Sequence, residues 1–586
     1  MKQFFMSFLG AVAGIWVSIL LLSVLSIVAL VAMALSSGTE TGNINIKSHS
    51  ILHVDLSGEI TDRATPIDFM KEIYGASEGS IALNDLVSSI KSAANDKDIE
   101  GLYLELNGSS AGLAQRQAII AAINEFKQTG KWVYAYSDNI TQGDYFVACA
   151  ADSIFLNPIG MVDIHGLAAT TMYFKDLLDK IGVDVQVVKV GTYKSAVEPF
   201  ILNDISEANR EQQMHYLGNI WNQVCNTIST GRNVSVQQVN EWADGYTYTM
   251  PIDYYLENKI VDRAVYRREM KDILATKTDC EEPRLVGFND YYAVKGKLDK
   301  SGGKKEIAVL YAVGDITESG EGGIASDALV PQILDLMDDD DIQGLILRVN
   351  SGGGSAFASE QIWEALEQFK SVTGKPFYVS MGDYAASGGY YISCGADRIY
   401  AEPLTLTGSI GIFGLIPNAQ KLLNDKIGIN TSTVATNKGS LPSFTEPMTP
   451  AQEAAMQSYV NRGYELFVSR CAEGRNVPVD SIKAIAEGRV WDGTSAAQLG
   501  LVDKLGGLDM AIAEMAADLE ISDDYYVKEY PKVKFKWWEE LFEISKSVKA
   551  MVMKNELGET MKYYNTIKDL NEIDHIQCRM DFVEIK

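Results

Sequence analysis

The residues best suited to chemistry lie in Gly382-Asp383-Tyr384-Ala385-Ala386-Ser387-Gly388-Gly389-Tyr390-Tyr391. The apolar run Pro376-Phe377-Tyr378-Val379-Ser380 before them reads as a buried strand, and Ala385, Ala386, Gly388 and Gly389 permit a sharp turn into a helix. A serine on such a turn is pushed clear of the backbone, beside helix N–H groups that favour negative charge. This is the physics of a nucleophile elbow, on residues that are not G-x-S-x-G. The chemistry it would serve is acyl transfer. A small-residue turn around a serine is more often only a turn, so the rest of the chain must decide.

A serine hydroxyl needs a base, usually a histidine held by a carboxylate. The five histidines are scattered; His165 and His215 stay open on sequence order, but neither sits in a setting that demands catalysis. The other solution is a buried lysine, because desolvation disfavours the ammonium. Lys194 lies in Gly191-Thr192-Tyr193-Lys194-Ser195-Ala196-Val197-Glu198-Pro199-Phe200, and Lys438 lies in Asn437-Lys438-Gly439-Ser440-Leu441-Pro442. Most lysines are solvated surface residues, so spacing alone does not choose between them.

The elements that must position these residues are written twice. Asp98-Ile99-Glu100-Gly101-Leu102-Tyr103-Leu104 parallels Asp341-Ile342-Gln343-Gly344-Leu345-Ile346-Leu347, each a turn into a buried parallel strand. Glu125-Phe126-Lys127 with Gly130-Lys131 parallels Gln368-Phe369-Lys370 with Gly374-Lys375, and Ala150-Ala151-Asp152 parallels Gly395-Ala396-Asp397. Strand–helix–strand order in both copies predicts βαβ units and an α/β fold. Only the second copy carries the chemistry: the first has Gln142 where the second has Ser387. The first also has Asn107-Gly108-Ser109-Ser110 where the second has the glycine-rich Asn350-Ser351-Gly352-Gly353-Gly354-Ser355.

The division that follows is an anchor over 1–36, a first repeat over 46–296, a linker over 297–305, a second repeat over 306–524 and a helical tail over 525–586. Phe4 to Leu35 contains no charged residue, longer than the ~20 residues that cross a bilayer. A retained span is therefore expected rather than a cleaved signal, with Lys2 favouring a cytoplasmic N-terminus. Thr449-Pro450-Ala451-Gln452 is a helix start with a capping box. Lys532-Val533-Lys534-Phe535-Lys536-Trp537-Trp538 is basic and aromatic, suited to a membrane surface or, more simply, to a docked helix.

At 586 residues the chain needs more than one core. A net charge of −27 argues against nucleic acid as a partner. Six dispersed cysteines indicate neither a disulfide framework nor zinc. The acidic run Asp338–Asp341 reads as a solvated loop, no P-loop occurs, and neither metal nor cofactor is expected.

Several longer motifs carry a family resemblance. They are Arg348-Val349-Asn350-Ser351-Gly352-Gly353-Gly354-Ser355, Ala385-Ala386-Ser387-Gly388-Gly389-Tyr390 and Thr405-Leu406-Thr407-Gly408-Ser409-Ile410-Gly411-Ile412. With them stand Tyr193 to Phe200, Gly488-Arg489-Val490-Trp491 and Gly500-Leu501-Val502-Asp503. On these the chain, from the anchor to about residue 520, resembles the signal peptide peptidase A family in its long, duplicated, membrane-anchored form. The resemblance implies tandem Clp/crotonase-like domains and a serine–lysine dyad that cleaves peptides left in the membrane by signal peptidase. It carries the nucleophile onto Ser387, the general base onto Lys194, and a supporting hydroxyl onto Ser409. The oxyanion donors fall on Gly388 and on Gly353 or its neighbour Gly354. It further implies a homo-tetramer on the bacterial inner membrane, with the catalytic domains outside the cytoplasm. Two departures stand out: Gly352 occupies a position usually held by proline, and Lys438 would suit the order of the short, unduplicated relatives. Two other readings remain open at this point: acyl-CoA chemistry on a crotonase fold, and an inactive membrane-anchored scaffold.

Overall fold

Apolar runs alternating with amphipathic helices lie side by side as two parallel sheets, one for each copy. The computed structural model describes residues 46–63, 80–296, 303–320, 323–440, 444–531, 576–580 and 584–585, together with Gly14, Ser18, Leu21 and Leu22. Met1–Lys47 and Ser48–Lys586 are separate compact units. Most of the expected anchor thus lies outside the described residues, as do 297–302 of the linker and 532–575 of the tail. Among the described residues no helix is long and apolar enough to cross a membrane.

The first sheet runs Arg284–Gly287, Ser50–Leu56, Ile99–Leu106, Trp132–Ser137, Ser153–Leu156, Arg263–Ala264, all parallel. The second repeats that order with Tyr525–Tyr530, Lys305–Val313, Ile342–Ser351, Phe377–Ala386, Arg398–Ala401 and Lys504–Leu505. Even the irregularity recurs: the register slips between Ser50 and Ile51 in one copy and between Glu306 and Ile307 in the other.

The polar residues shared by the copies turn out to fasten this frame. Asp152 accepts the Val133 N–H at 2.8 Å and Asp397 the Phe377 N–H at 2.9 Å, while Lys127 and Lys370 pair with those same aspartates at 2.9 and 3.1 Å. Asp262 and Asp503 close the next strands in the same way, on Ile154 and Ile399. Backbone donors at strand starts have no ladder partner, and a carboxylate supplies one.

The second copy adds two features. Its nucleophile strand, Phe377–Ala386, continues past Arg398–Ala401 to pair with Leu406–Gly408, which in turn pairs antiparallel with Val490–Asp492. A further small sheet draws on both copies, in the order Ile324–Ala325, Ile316–Thr317, Gly353–Ser355, Ile576–Arg579, Ile412–Asn418, Asp184–Val190. The Thr449 capping box forms as expected and opens the helix Pro450–Gly474. The tail expected to be helical from 525 carries strands instead where it is described: Tyr525–Tyr530 joins the second sheet, Ile576–Arg579 the mixed one, and Glu584–Ile585 pairs with Ala169–Thr170.

The copies are joined by buried polar contacts. Arg348 donates to Asp62 at 2.7 and 2.9 Å, and Asn350 donates to the other Asp62 oxygen at 2.7 Å. Asp383 accepts the Ala114 N–H at 2.9 Å at the start of the helix Leu113–Gln128. Burial, with Asp62 close by, pushes the Asp383 carboxyl up to about 6 against the opposing pull of its backbone donors. A carboxyl raised in the folded state holds its proton longer than in the unfolded chain, where it titrates near ~3.9. Its favourable contribution is therefore complete below that value and is lost as pH rises through about 6. Asp383→Asn keeps an acceptor without the charge. Relative to wild type it should gain on the order of 2–3 kcal/mol of stability between pH 4 and pH 7.5, read from chemical unfolding at both. An equal difference at the two pH values would contradict this.

Candidate active site

Ser387 closes the nucleophile strand with φ 55° and ψ −112°, a backbone conformation that L side chains rarely adopt, and its N–H is held by the Gly408 carbonyl at 2.8 Å. Such strain persists only where its surroundings enforce it. The helix that follows, Gly388–Tyr391, is a single turn. The electrostatic help near Ser387 thus comes from local N–H groups more than from a long dipole.

Lys194 reaches this serine from the first copy. The chain leaves the strand Asp184–Val190, which pairs with Ile412–Asn418 of the second copy along its whole length, and turns so that Lys194 is 1% exposed. Lys194 Nζ lies 2.7 Å from Ser387 Oγ, and 3.1 Å from both the hydroxyl and the carbonyl of Ser409. A neutral amine has two N–H donors and one lone pair. In that form, with Ser409 taking both donors, the lone pair would face the Ser387 hydroxyl.

The loop around Gly488 fixes both partners. Tyr193 N–H bonds the Glu487 carbonyl, Gly488 N–H bonds the Ile410 carbonyl, and Ser409 N–H bonds the Arg489 carbonyl. Any Cβ at Gly488, whose φ is 77°, would sit 2.7 Å from Lys194 Cβ. Gln212 reinforces the turn by donating to the Tyr193 carbonyl and to Ser195 Oγ. These contacts give the Gly488-Arg489-Val490-Trp491 motif a physical role.

Beside Ser387 the two candidate oxyanion loops meet. A Cβ built on Gly353, with φ 105°, would lie 2.8 Å from the Gly388 nitrogen, so the two glycines face each other across a notch that no side chain could share. Gly353 donates its own N–H to Ser351 Oγ at 3.1 Å. That leaves the N–H groups of Gly354 and Gly388 as the better oriented pair for an oxyanion. The space beside Gly352 is open, so the missing proline leaves this notch intact.

Other sequence candidates are placed elsewhere. Lys438 is in an exposed turn. His165 is far from being a buried base: it is 44% exposed, with Asp163 at 3.7 Å. In the first copy, Gln142 does not imitate the serine. Its amide oxygen accepts the N–H groups of His165 and Gly166, and its nitrogen donates to the Gly166 carbonyl. The position is filled by a structural cap. Asp62, Asp383 and the strand Ile576–Arg579 lie at or behind the site without having been singled out for it. For the last, the alternation Ile576-Gln577-Cys578-Arg579-Met580 was a usable period-two signal.

A serine in contact with a buried lysine amine, beside a notch between two glycines and set between two α/β copies, is an arrangement suited to acyl transfer. Residues 125–281 and 370–522 match the model of "Peptidase family S49", once in each copy. The chain is 38% identical to "Protease 4" of Salmonella typhi over 502 residues, covering 82% of this chain and 80% of that one. It is 36% identical to "Protease 4" of Haemophilus influenzae, covering 83% and 82%. It is 29% identical to "Serine protease SPPA, chloroplastic" of Arabidopsis thaliana, covering 80% and 69%. The chain belongs to peptidase family S49 and is a serine peptidase.

Proposed function

We propose that the protein is a membrane-anchored endopeptidase in which Ser387 and Lys194 act as a catalytic dyad on apolar peptides such as remnant signal peptides. The observation that carries this reading is the 2.7 Å contact between Lys194 Nζ and Ser387 Oγ at a buried position. Ser387 Oγ attacks the peptide carbonyl carbon while Lys194 takes the hydroxyl proton. The developing oxyanion is held by the N–H groups of Gly354 and Gly388, Ser409 orients the amine, and Lys194 returns the proton to the leaving nitrogen. Water then releases the acyl group by the same path in reverse.

The substrate class is supported by the groove's construction. Gly353–Ser355 and Ile412–Asn418 flank a groove one strand wide, held in this structure by Ile576–Arg579, and an extended peptide in its place would pair main chain to main chain, as in β-augmentation. The anchor, the bacterial inner-membrane location, the Clp/crotonase-like fold and the tetramer come from the uncharged Phe4–Leu35 run and the family resemblance.

Covalent labelling tests the reading. A serine-reactive fluorophosphonate should label wild-type protein and abolish hydrolysis of a fluorogenic peptide, and Ser387→Ala should show neither labelling nor hydrolysis. Undiminished hydrolysis by Ser387→Ala would overturn the mechanism.

A further inference from the structure

The groove beside Ser387 is one strand wide, and this chain's own Ile576–Arg579 fills it. On one side Gly353 stands opposite Arg579, Gly354 opposite Cys578 and Ser355 opposite Gln577, antiparallel. On the other, Phe413 stands opposite Gln577 and Gly414 opposite Ile576. Met580 N–H continues the first ladder to the Gly352 carbonyl at 2.8 Å. In an antiparallel ladder of this register the next bond joins Gly354 N–H to the Cys578 carbonyl.

That carbonyl is where a reacting carbonyl would have to be. A Cβ on Gly353 would lie 2.1 Å from the Cys578 oxygen, and a Cβ on Gly388 would lie 3.2 Å from it. The oxygen therefore sits in the notch between the two glycines, next to Ser387. The Cys578 side chain is wholly buried within the core around the site. Burial pushes its thiol up to about 12, with Lys194 and a hydrogen bond to Ser387 pulling the other way. Two residues earlier, Ile576 borders an apolar cavity of about 420 Å3 with Ile412, Tyr459 and Leu466. One residue later, Arg579 extends to Asp315, N to O 2.8 Å.

We propose that Ile576–Met580 lies in the groove in the register of a peptide substrate, Cys578 preceding the scissile bond and Arg579 following it, and that Asp315 selects a basic residue immediately after that bond. This rests on the dyad reading above. A peptide so placed offers its carbonyl carbon to Ser387 Oγ. The hydroxyl proton passes through Lys194 to the nitrogen of the basic residue, and the C–N bond breaks. The site before the bond takes a small side chain because Cys578 already fills it. Asp315 lies outside the reacting groups and acts on specificity. Its pair with Arg579 is partly exposed, at 15% and 52% for the two side chains. Such a pair is screened, so its effect on rate is on the order of tenfold or less.

The test uses the full chain and three quenched fluorogenic peptides: Ile-Gln-Ala-Arg-Met, its Ile-Gln-Ala-Glu-Met counterpart, and an uncharged leucine-rich control. Wild type should cleave the first after alanine with kcat/KM about five- to tenfold above the second. Asp315→Asn should bring that ratio near one. Arg579→Glu, which sets two carboxylates against each other, should loosen the resident strand and lower KM for the first peptide several-fold. Equal rates on the two charged peptides, or a ratio that Asp315→Asn leaves intact, overturns the inference while Ser387-dependent cleavage of the control leaves the dyad standing. Failure of both wild type and Arg579→Glu to cleave any of the three strikes the dyad itself.

Discussion

Lys194→Met is expected to lower kcat for peptide hydrolysis by about 10²- to 10⁴-fold, with little change in KM, whereas Lys438→Ala should stay within about twofold of wild type. Methionine is chosen because Lys194 is among the largest fully buried side chains, and alanine there would leave a cavity whose collapse could move Ser387 for unrelated reasons. Methionine retains the stem and removes only the amine. In the proposed mechanism the amine has two tasks at one point in space: accepting the Ser387 proton and returning it to the leaving nitrogen. Lost general-base assistance of this kind costs about 10²–10⁴ in rate. The substrate is gripped by strand edges and by the glycine notch, none of which involves the lysine, so binding should be spared. Lys438 lies in an exposed turn and has no such task. The measurement is steady-state hydrolysis of one fluorogenic peptide by all three proteins, with thermal unfolding as a check on folding. More than a tenth of wild-type kcat in Lys194→Met would exclude it as the base.

What could be read from the sequence was what repeats and what is local. Two copies of a strand–helix–strand pattern were enough for two parallel sheets, because period and turn chemistry are local properties. The serine on its small-residue turn is likewise local. Ser387 and Lys194 are 193 residues apart, and no periodicity could bring them together; only the motif resemblance named the pair. The fasteners were visible as repeated residues but not as fasteners, since Asp152 and Asp397 bond to strand starts that only the folded register reveals. Asp62 has no motif at all and matters only because Arg348 and Asn350 meet it across the join. Ile576–Arg579 is a strand inside the tail expected to be helical over 525–586. Its strand character comes from two edges contributed by Gly353–Ser355 and Ile412–Asn418, far away in the chain.

A site shared between two copies is only as stable as their join, so Asp62→Ala should destabilise the protein by about 3–5 kcal/mol. The side chains of Asp62 and Arg348 are 2% and 5% exposed. Arg348 also donates to Ser380 Oγ at 2.9 Å and the Met381 carbonyl at 2.8 Å, tying together the strands that lead to Gly353 and to Ser387. Removing Asp62 leaves an interior guanidinium whose remaining hydrogen-bond partners, Ser380 and the Met381 carbonyl, are neutral, with Asp383 acting on it only through space. The large penalty comes from that uncompensated charge, more than from the worth of the pair. A double variant, Asp62→Leu with Arg348→Met, removes both charges and should recover most of the loss, because well-packed apolar replacements of a buried pair are often neutral. Urea unfolding of the three proteins measures both effects, and peptide hydrolysis in sub-denaturing urea adds a functional reading. Because the lysine arrives from one copy and the serine from the other, opening the join parts the dyad before either sheet unfolds. Asp62→Ala should therefore lose activity at a lower urea concentration than the loss of its secondary structure. Coincident transitions would mean that the copies unfold as one unit and that the buried pair stabilises the whole rather than the join.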